Sequence, residues 1–423
     1  MAPRNLVLSA NAGSSSLKIS LYETTGSTDD NLEPVKLVLT SSISNISAPP
    51  AKFTFKVVGG TSKDEESSSI QDHASAFAHF IECISHEANI DQDHISHVCH
   101  RVVHGGDYHD PVLISDEAYH HIERLSDLAP LHNGASLAVI KTCLEQLPSA
   151  KSIAFFDTAF HRSIPAHISS YAIDQHIAKK RGLKKYGFHG LSYSFILRSV
   201  SRFLKKPVES LNLIVLHLGS GASACCIQHG QSLDTSMGLT PLNGLPGATR
   251  SGAIDPSLIF HYTNRAGRMS HDKNSAVQLH VTQAETILNK QAGWKALTGT
   301  TDFAAITARR AKDDPDATLA FDLFVDRVLN YVGSYHLKLG GKVDALVFSG
   351  GIGERSKELR ALIGERIQCL GYASVDEERN IGVDSTEGVV VDVGAADSST
   401  KRLLVCRTDE QLEMARQCTM GSM

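Results

Sequence analysis

Short apolar runs alternate with polar turns along most of the chain, and the period of each run predicts a helix or a strand. Apolar residues recur three and four positions apart, as on one helix face, in residues 75–88, 134–147 and 317–339. Shorter runs predict strands at residues 97–103, 152–156 and 343–348, and the mostly apolar run 152–156 predicts a buried one. Strands that alternate with helices in this way are typical of an α/β fold.

Two segments half a chain apart share one plan: an apolar run, a turn of glycine and serine, then a second apolar run. They span residues 6–19 and 214–227, and five of the fourteen aligned residues are identical. Val7 aligns with Val215, an offset of 208 positions. Both segments are predicted to be strand–turn–strand hairpins. A hairpin that recurs at the start of each half favours a duplicated two-domain fold, although five matches among small and apolar residues also fit chance.

The second turn also matches the glycine pattern of dinucleotide-binding proteins, with Gly219, Gly221 and Ala224 at the required spacing. That pattern requires a helix directly after the turn. Residues 223–227 instead continue as an apolar strand, so we exclude this fold. Residues 61–69 contain charge and serine but no apolar residue, and we expect a mobile loop there.

Composition narrows the class of function. The 423 residues are 42% hydrophobic and 21% charged, and the formal net charge is −5. A protein that binds nucleic acid through phosphates is normally basic, and an acidic balance also disfavours an anionic membrane surface. No apolar run reaches the roughly 18–20 residues that span a bilayer, and no signal-peptide core follows Arg4, so we expect a cytoplasmic protein. The eight cysteines include no Cys-x-x-Cys pair, which predicts buried, reduced thiols.

Three glycine-rich turns follow predicted strands, at residues 11–16, 219–223 and 350–353. Backbone N–H groups point into such turns, and glycine lets an anion approach them closely. One such turn is more often a structural hairpin, whereas three of the same form favour a nucleotide-binding protein. Neither a Gly-x-x-x-x-Gly-Lys-[Ser/Thr] loop nor a protein-kinase signature set occurs, so phosphoryl chemistry would need another architecture.

Four polar side chains stand where α/β proteins place their chemistry. Arg101 lies near the end of a predicted strand and Arg250 in the turn 247–252, beside glycines that would let a carboxylate or phosphate reach them; surface salt bridges are the alternative. Asp157 follows a strand at its carboxyl end, where α/β active sites concentrate. His189 is flanked by glycines, although a single histidine among 21 is more often structural. No His-Glu-x-x-His or similar spacing occurs, which disfavours a tightly held zinc.

Eight segments resemble those of the acetate kinase family, in that family's order and across residues 6 to about 416. They are residues 11–18, 100–106, 156–161, 186–190, 217–223, 234–238, 350–354 and 408–410. The family belongs to the superfamily of acetate and sugar kinases, heat-shock chaperones and actin. The resemblance implies a duplicated two-domain, actin-like (ribonuclease H-like) α/β fold with a nucleotide cleft between the domains, in agreement with the repeated hairpin.

The resemblance also implies how the chain is divided and what it does. Residues 1–158 with about 407–423 would form an N-terminal domain with the acetate side and the first phosphate turn. Residues 159–406 would form a C-terminal domain that binds nucleotide. The implied activity is reversible, Mg²⁺-dependent phosphoryl transfer from ATP to acetate, giving ADP and acetyl phosphate. Family members are usually homodimers paired through the second domain.

Roles follow residue by residue from the same resemblance. Arg101 and Arg250 would clamp acetate and the transferred phosphoryl group, and His189 would hydrogen-bond its oxygens. His189 and Arg250 would thus stabilise the transition state, and Asp157 is the fourth catalytic candidate. The metal would be positioned, through water, by Asn11, Asp157 and Glu410. The acetate pocket would comprise Arg101, Val103, Leu131, Phe188 and Pro241. Phosphate and nucleotide would contact Asn11, Ser16, Lys18, His217, Gly219, Ser220, Gly221, Asp302, Phe303, Gly350, Gly351, Ile352 and Gly353.

Two departures from the family pattern lie at the donor end. Ser220 stands where the family usually has asparagine, and Ala304 follows Asp302 and Phe303 where it usually has arginine. These two departures do not affect acetate as the acceptor, but they leave two candidates for the phosphoryl donor, ATP and pyrophosphate. The serine-rich region from about Ser41 to Ser69 also fits the family poorly, and we expect it to be peripheral.

Other functions fit parts of the pattern. Another short-chain acid, such as propionate or butyrate, could be the acceptor. A chaperone-like or actin-like nucleotide switch would share the cleft but typically carries extra binding domains, and little of this chain follows Glu410. A binding or scaffold protein would need none of the three turns.

Overall fold

The computed structural model describes residues 5–13, 15–26, 33–125, 133–271, 280–395 and 401–421. The chain divides into two compact units. Unit 1 comprises Met1–Ala159, His271–His280 and Asp409–Met423, and unit 2 comprises Phe160–Ser270 and Val281–Thr408. Each unit has its own sheet and its own apolar core. The predicted α/β class is confirmed.

Unit 1 is built on an eight-stranded sheet in the order β5-β4-β3-β2-β1-β6-β8-β7. Its strands are β1 (Leu6–Gly13), β2 (Ser16–Thr24), β3 (Val35–Ser44), β4 (Ala51–Val57), β5 (Ser62–Ser67), β6 (Ile95–Val102), β7 (Val112–Leu113) and β8 (Lys151–Phe156). Its helices are α1 (His73–Glu87), α2 (Asp116–Leu125), α3 (Gly134–Gln146) and α15 (Glu410–Met420).

The first two strands are the hairpin that the apolar pattern predicts. β1 and β2 pair antiparallel, with Leu8 opposite Leu21 and Ala10 opposite Ile19. β6 lies parallel to β1, and β8 lies parallel to β6. The apolar faces of the hairpin are buried with helices α1 and α3, in a core that includes Phe77. The three parallel strands bring their carboxyl ends to one edge of the sheet.

The loop predicted at residues 61–69 is wrong, because Ser62–Ser67 form β5, the edge strand of the sheet. β5 pairs antiparallel with β4, and its side chains alternate between exposed and half-buried. Backbone hydrogen bonds hold such a strand without apolar residues, and charged side chains protect the open edge from further pairing. Glu65 is anchored by Lys63 (3.3 Å) and by His79 on α1 (2.7 Å).

Unit 2 contains a six-stranded sheet in the order β11-β10-β9-β14-β16-β15. Its strands are β9 (Leu213–Leu218), β10 (Ala222–Gln228), β11 (Gln231–Thr235), β14 (Ala345–Ser349), β15 (Val390–Asp392) and β16 (Arg402–Cys406). Two short strands outside this sheet, β12 (Met269–His271) and β13 (His280–Thr282), flank residues 272–279, and their end residues His271 and His280 are counted with unit 1. The helices are α4 (Ala166–Ser169), α5 (Gln175–Arg181), α6 (Gly190–Leu204), α7 (Leu258–Tyr262), α8 (Gln283–Lys290), α9 (Gly293–Thr298), α10 (Phe303–Arg310), α11 (Pro315–Lys338), α12 (Gly350–Arg355), α13 (Lys357–Ile367) and α14 (Glu377–Ile381).

The long helix α11 supplies much of the core of unit 2. Asp314 caps its start by accepting a hydrogen bond from the N–H of Ala317 (3.0 Å), and a proline occupies the first turn, where its missing N–H costs nothing. The helix packs against an aromatic cluster, in which the ring of Phe303 lies 5.4 Å from that of Trp294 and 5.5 Å from that of Phe321. This cluster borders the cavity described below.

The two sheets repeat one topology. In each, a strand pairs antiparallel with the next strand, which pairs antiparallel with a third: β1, β2 and β3 in unit 1, and β9, β10 and β11 in unit 2. On the other side of the first strand come two parallel strands, β6 and β8 or β14 and β16. The duplicated fold predicted from the repeated hairpin is confirmed, and the second hairpin continues as a strand where a dinucleotide-binding fold would have a helix.

All eight cysteines are free thiols, and seven of them are buried. The prediction of buried, reduced thiols is confirmed for these seven and is wrong for Cys369, which is exposed. Within the part of the chain that the structure describes, no helix has both the length and the apolar character needed to cross a membrane.

Candidate active site

A polar cluster centred on Arg101 occupies one edge of the sheet of unit 1. Arg101 donates hydrogen bonds to both carboxylate oxygens of Asp157, most closely from Nη2 to Oδ2 (2.6 Å), and from Nη1 to Oδ1 of Asn11 (2.9 Å). Asn11 Nδ2 in turn donates to Oε2 of Glu410 (2.6 Å), which lies 3.5 Å from Nη1 of Arg101. These four residues, predicted for catalysis and metal binding, form one network, the Arg101 cluster.

Sheet topology explains how residues so distant in sequence meet. Asn11 is near the end of β1, Arg101 is near the end of β6, and Asp157 directly follows β8. These strands are adjacent and parallel, so their carboxyl ends share an edge, as in other α/β sites. Glu410 comes from the first turn of α15, which Asp409 caps and which packs against β1 and β6.

The Arg101 cluster contains two carboxylates and one guanidinium. The side chain of Asp157 is fully buried, whereas those of Arg101 and Glu410 are 15% and 11% exposed. Burial opposes the charge of Arg101, but Asp157 and Glu410 hold the pKa of Arg101 above its ordinary value. Three of the five N–H donors of the guanidinium carry the bonds to Asp157 and Asn11. The remaining donors can bind an anion, while the net negative charge of the cluster suits a cation.

The oxygens of the Arg101 cluster fit a hydrated Mg²⁺. Mg²⁺ keeps several waters and is usually held through one or two carboxylates together with substrate phosphates. The oxygens of Asp157 and Glu410 already accept hydrogen bonds from Arg101 and Asn11. Among the described residues, no group of three or more histidine, cysteine or acidic side chains could hold a metal ion directly. Contact through water would leave the hydrogen bonds of the cluster intact.

The other substrate residues predicted in this half of the chain lie close to the cluster in sequence or in the sheet. Lys18, on β2, is exposed and pairs across the hairpin with Asn11, and Ser16 begins the same strand. Val103 directly follows β6 and is half-buried. Leu131, predicted for the acetate pocket, lies outside the described residues.

In unit 2, His189 is held on several sides. It caps the start of α6 with φ +61°, a left-handed conformation that is uncommon for a residue other than glycine and is enriched at functional sites. Its Nδ1 lies 2.8 Å from the hydroxyl oxygen of Ser223, which is also hydrogen-bonded to the hydroxyl of Tyr193. The imidazole stacks on that of His217, with 4.1 Å between ring centroids. The ring of His189 is therefore positioned by its neighbours.

Gly221, in the turn between β9 and β10, is bordered by two of the predicted catalytic side chains. A Cβ atom at this position would lie 3.0 Å from Nη1 of Arg250 and 3.8 Å from Nε2 of His189. The turn that carries Arg250 is tied to the same place, because the N–H of Ala248 donates to the carbonyl oxygen of Ser220 (2.9 Å). The structure thus brings both predicted transition-state stabilisers to one glycine-rich turn.

A cavity of about 600 Å³ lies within unit 2. That volume falls in the usual range for small-molecule sites. Six of the residues predicted to bind nucleotide line it: Gly219, Ser220, Asp302, Phe303, Gly351 and Ile352.

Asp302 and Phe303 also serve the fold. Asp302 caps α10 by accepting hydrogen bonds from the N–H groups of Ala304 (2.9 Å) and Ala305 (3.3 Å). Phe303 is 5% exposed and belongs to the aromatic cluster beside α11. Ala304 lines the cavity, so the side chain that departs from the family pattern faces the site itself.

The third glycine-rich turn starts α12 directly after β14. Gly350 has φ +74°, and a Cβ atom there would lie 2.7 Å from the carbonyl oxygen of Leu218, at the end of β9. Its N–H donates to Oε1 of Glu354 (3.0 Å), which also accepts from the N–H of Thr408 (3.2 Å). Burial raises the pKa of Glu354, although these hydrogen bonds oppose the shift. Gly353 is buried in the same short helix.

The remaining predicted residues of unit 2 are buried or half-buried. His217 places Nδ1 2.8 Å from the hydroxyl oxygen of Ser192, which lies 2.8 Å from that of Thr408. Phe188 is 1% exposed, and Pro241 is buried. Phe188 and Pro241 belong to unit 2, whereas Val103 belongs to unit 1.

Sequence reasoning missed the residues that hold the predicted ones in place. Ser223 and Glu354 support His189 and Gly350, and both lie in or next to the glycine-rich turns, so their position there is a usable signal. Ser192 supports His217 from a different element, and no local pattern in the sequence marks it.

The whole chain is similar to proteins of one known family. The model of the acetokinase family matches residues 6–416. A protein of Emericella nidulans described as a probable acetate kinase is 49% identical over 425 residues, which cover 99% of this chain and 98% of that protein.

Solved structures resemble this fold over nearly its whole length. A propionate kinase from Francisella tularensis is 32% identical, with a TM-score of 0.82 and 98% of each chain covered. The acetate kinase of Porphyromonas gingivalis is 28% identical, with a TM-score of 0.81 and coverage of 98% of this chain and 99% of that one.

Proposed function

The chain belongs to the acetokinase family, and from that premise we propose that it is an acetate kinase, which transfers a phosphoryl group reversibly from ATP to acetate. The observation that carries the proposal is the Arg101 cluster, a guanidinium held by two carboxylates and an amide with N–H donors left for an anion. The cavity lined by Gly219 and Gly351 supports a nucleotide as the second substrate.

The acceptor in this reaction needs no general base. An ordinary carboxyl group has a pKa of about 4–5 and is already ionised at neutral pH. One acetate oxygen would attack the terminal phosphorus of ATP in line as the bond to the ADP oxygen breaks, and ADP would leave with that electron pair. Asp157, whose oxygens both accept from Arg101, is accordingly assigned to orienting this arginine and to the water around a metal ion.

Charge repulsion is the main obstacle, because an anionic nucleophile approaches an anionic phosphate chain. We assign Arg101 to acetate and Arg250 to the transferred phosphoryl group, where a fixed guanidinium stabilises charge in the transition state. His189 would donate a hydrogen bond from Nε2 to a phosphoryl oxygen. A hydroxyl proton donated by Ser223 to Nδ1 would fix that tautomer, and the observed 2.8 Å contact supports it.

Mg²⁺ belongs to this proposal as a hydrated ion brought with the nucleotide. Asp157, Glu410 and Asn11 would hold it through its waters. When bound, it shields the negative charge of the phosphates. Sites for Mg²⁺ usually offer carboxylates with a net negative charge. The two carboxylates and one guanidinium of the Arg101 cluster meet this condition.

The remaining assignments concern the acetate methyl group, the phosphates and the assembly. Val103, Leu131, Phe188 and Pro241 would surround the methyl group, and Ser16 and Lys18 would approach the phosphates. We also propose a homodimer paired through the C-terminal domain, and the domain limits predicted from the sequence stay predictions.

The test is to trap the product with hydroxylamine. Purified protein with acetate, ATP and Mg²⁺ should give acetohydroxamate, and acetyl phosphate with ADP should give ATP. Arg101→Lys, purified in parallel, is the matched control for a contaminating kinase, because it keeps the charge but cannot make the forked contacts. Absence of product in both directions would overturn the proposal.

Propionate is the second candidate acceptor, because a propionate kinase is among the structures similar to this chain. The same assay with formate, acetate, propionate and butyrate decides between them through kcat/KM. An apolar pocket distinguishes one methylene by about 10- to 200-fold. We expect acetate to be preferred, and a higher kcat/KM for propionate would reassign the substrate.

A further inference from the structure

The cavity of unit 2 is lined by two arginines that differ in their contacts. Arg355, the last residue of α12, lines this cavity with an exposed side chain. Its guanidinium makes no hydrogen bond, ion pair or ring contact with the described residues, and acts only at a distance on the carboxylate of Glu354. Arg310 lines the same cavity but is paired with Asp322 (3.0 Å) and lies 4.5 Å above the ring of Phe321. The donors of Arg355 are therefore available to a ligand that enters the cavity.

Arg355 is separated from the part of the cavity that would hold phosphate. Gly351, at the start of α12, lies beside the turn of Gly219. Arg355 follows Gly351 by four residues, which is one helical turn and about 6 Å along the axis. A group bound to the glycine-rich turns through its phosphates would therefore meet Arg355 with a more distant part.

The wall formed by α10 suits a flat ring. Ala304 and Ala308 lie four residues apart on one helix face, and Ala311, the C-cap residue, continues that face; all three line the cavity. Their methyl groups leave room that a longer side chain at residue 304 would fill. A planar aromatic ring can pack on such a surface with its other face open to a guanidinium.

We propose that Arg355 stacks on the base of the donor nucleotide and that this contact favours a purine nucleotide over pyrophosphate as the phosphoryl donor. The inference rests on the proposed function. A guanidinium is planar, weakly hydrated and attracted to the face of an aromatic ring. Arg355 thus supplies, from α12, an interaction that Ala304 on α10 cannot make.

The experiment compares Arg355→Ala with Arg366→Ala, an exposed arginine of α13 that does not line the cavity. Adenosine, which has a base but no phosphate, is titrated calorimetrically into each protein. Arg355→Ala should weaken adenosine binding about two- to fivefold, the weight of a cation–π contact made by an exposed side chain, and should raise the KM for ATP by a similar factor with kcat nearly unchanged. The inhibition constant of inorganic tripolyphosphate should stay the same. Adding Ala304→Arg to Arg355→Ala should recover most of the adenosine affinity.

Three results would overturn the inference. Equal adenosine affinity in Arg355→Ala and Arg366→Ala would make Arg355 a solvated surface residue. An equal loss for tripolyphosphate would make it a phosphate contact. Faster turnover of the wild type with pyrophosphate than with ATP would show that the donor needs no nucleotide base, so stacking by Arg355 could not select it. Because adenosine titration needs no catalysis, it separates this inference from the hydroxamate test of the proposed function.

Discussion

At the scale of single residues, Arg101 connects stability with the proposed chemistry. It is the partner that compensates Asp157, whose side chain is fully buried. Breaking a buried ion pair by removing one partner leaves an uncompensated charge and costs about 3–5 kcal/mol. A surface salt bridge, the alternative considered from the sequence, would cost about 1 kcal/mol or less. The structure therefore gives Arg101 a larger structural role than its sequence context suggested.

We predict that Arg101→Ala loses activity by about 10³-fold or more and about 3–5 kcal/mol of unfolding free energy. Hydroxamate formation and urea unfolding measure the two effects. The double variant Arg101→Met, Asp157→Asn should recover most of the stability, because the fully buried carboxylate is replaced by a neutral amide and Glu410 keeps its hydrogen bond from Asn11, while activity stays lost. Turnover near that of the wild type in Arg101→Ala would contradict the assignment.

At the scale of elements, α12 depends on the tertiary structure for its position. A helix of six residues is too short to be stable alone. Arg360, on α13 and only 1% exposed, holds its last turn by donating from Nη1 to the carbonyl oxygens of Gly353 (3.0 Å) and Glu354 (2.6 Å). The same guanidinium donates from Nε to Oδ1 of Asn380 (2.7 Å). Burial lowers the pKa of Arg360 to about 10.

We predict that Arg360→Met raises the KM for ATP several-fold more than the KM for acetate. The change removes the side chain that fixes the helix carrying Gly351 and Arg355, and it leaves buried carbonyl groups unpaired, at about 1–3 kcal/mol of stability each. Steady-state kinetics and thermal unfolding test this positioning role. Arg366→Met, which changes an exposed arginine of α13, the helix that also carries Arg360, is the control. Arg360→Lys should restore part of the ATP affinity. Equal changes in both KM values would indicate a general loss of structure.

At the scale of the whole molecule, one topology is used twice for different chemistry. In unit 1, the carboxyl ends of β1 and β6 carry the polar side chains of Asn11 and Arg101, and both contact Glu410 on α15. In unit 2, the corresponding ends of β9 and β14 lead into glycine-rich turns, whose contribution is backbone N–H groups. Each sheet has its own buried core, so the same edge could diverge in side chains without a change of fold.

The stability of unit 1 should depend on pH through His100. This residue of β6 is 2% exposed, its Nε2 lies 3.2 Å from the hydroxyl oxygen of Ser152, and burial lowers its pKa to about 3. An unfolded histidine has a pKa of about 6.5. Between about pH 3 and pH 6.5 the unfolded chain binds one proton more at this histidine than the folded chain does. His100 therefore does not destabilise the fold above about pH 6.5. Below that pH, the free energy of unfolding decreases by up to about 1.4 kcal/mol for each unit by which the pH falls.

We predict that His100→Gln flattens the fall in unfolding free energy between pH 6.5 and pH 4.5. Urea unfolding of unit 1, followed at several pH values, provides the measurement. His86→Gln removes an exposed histidine of α1 and should keep the slope of the wild type. Identical slopes for His100→Gln and the wild type would show that His100 is not the group responsible.

The amino-acid pattern alone predicted the class of the fold, its duplication and the segments of the candidate site. Periods of two and 3.6 residues mark strands and helices because burial selects one face of each, and the repeated hairpin at Leu8 and Leu216 carries this signal twice. Glycine-rich turns were recognisable because few other residues fit them. The edge strand β5 was missed, because backbone pairing rather than apolar side chains holds it.

Which side chains meet depends on how the elements pack, and no sequence pattern shows it. Arg101 and Asp157 are 56 residues apart and Asn11 and Glu410 are 399 apart, so parallel strand order and the docking of α15 bring them together. Packing likewise leaves Arg355 in the cavity without an ion pair, whereas Arg310 in the same cavity is paired with Asp322. Local sequence fixes the conformation of a segment, whereas a hydrogen bond between distant segments depends on the packing of the whole unit, which no short pattern records.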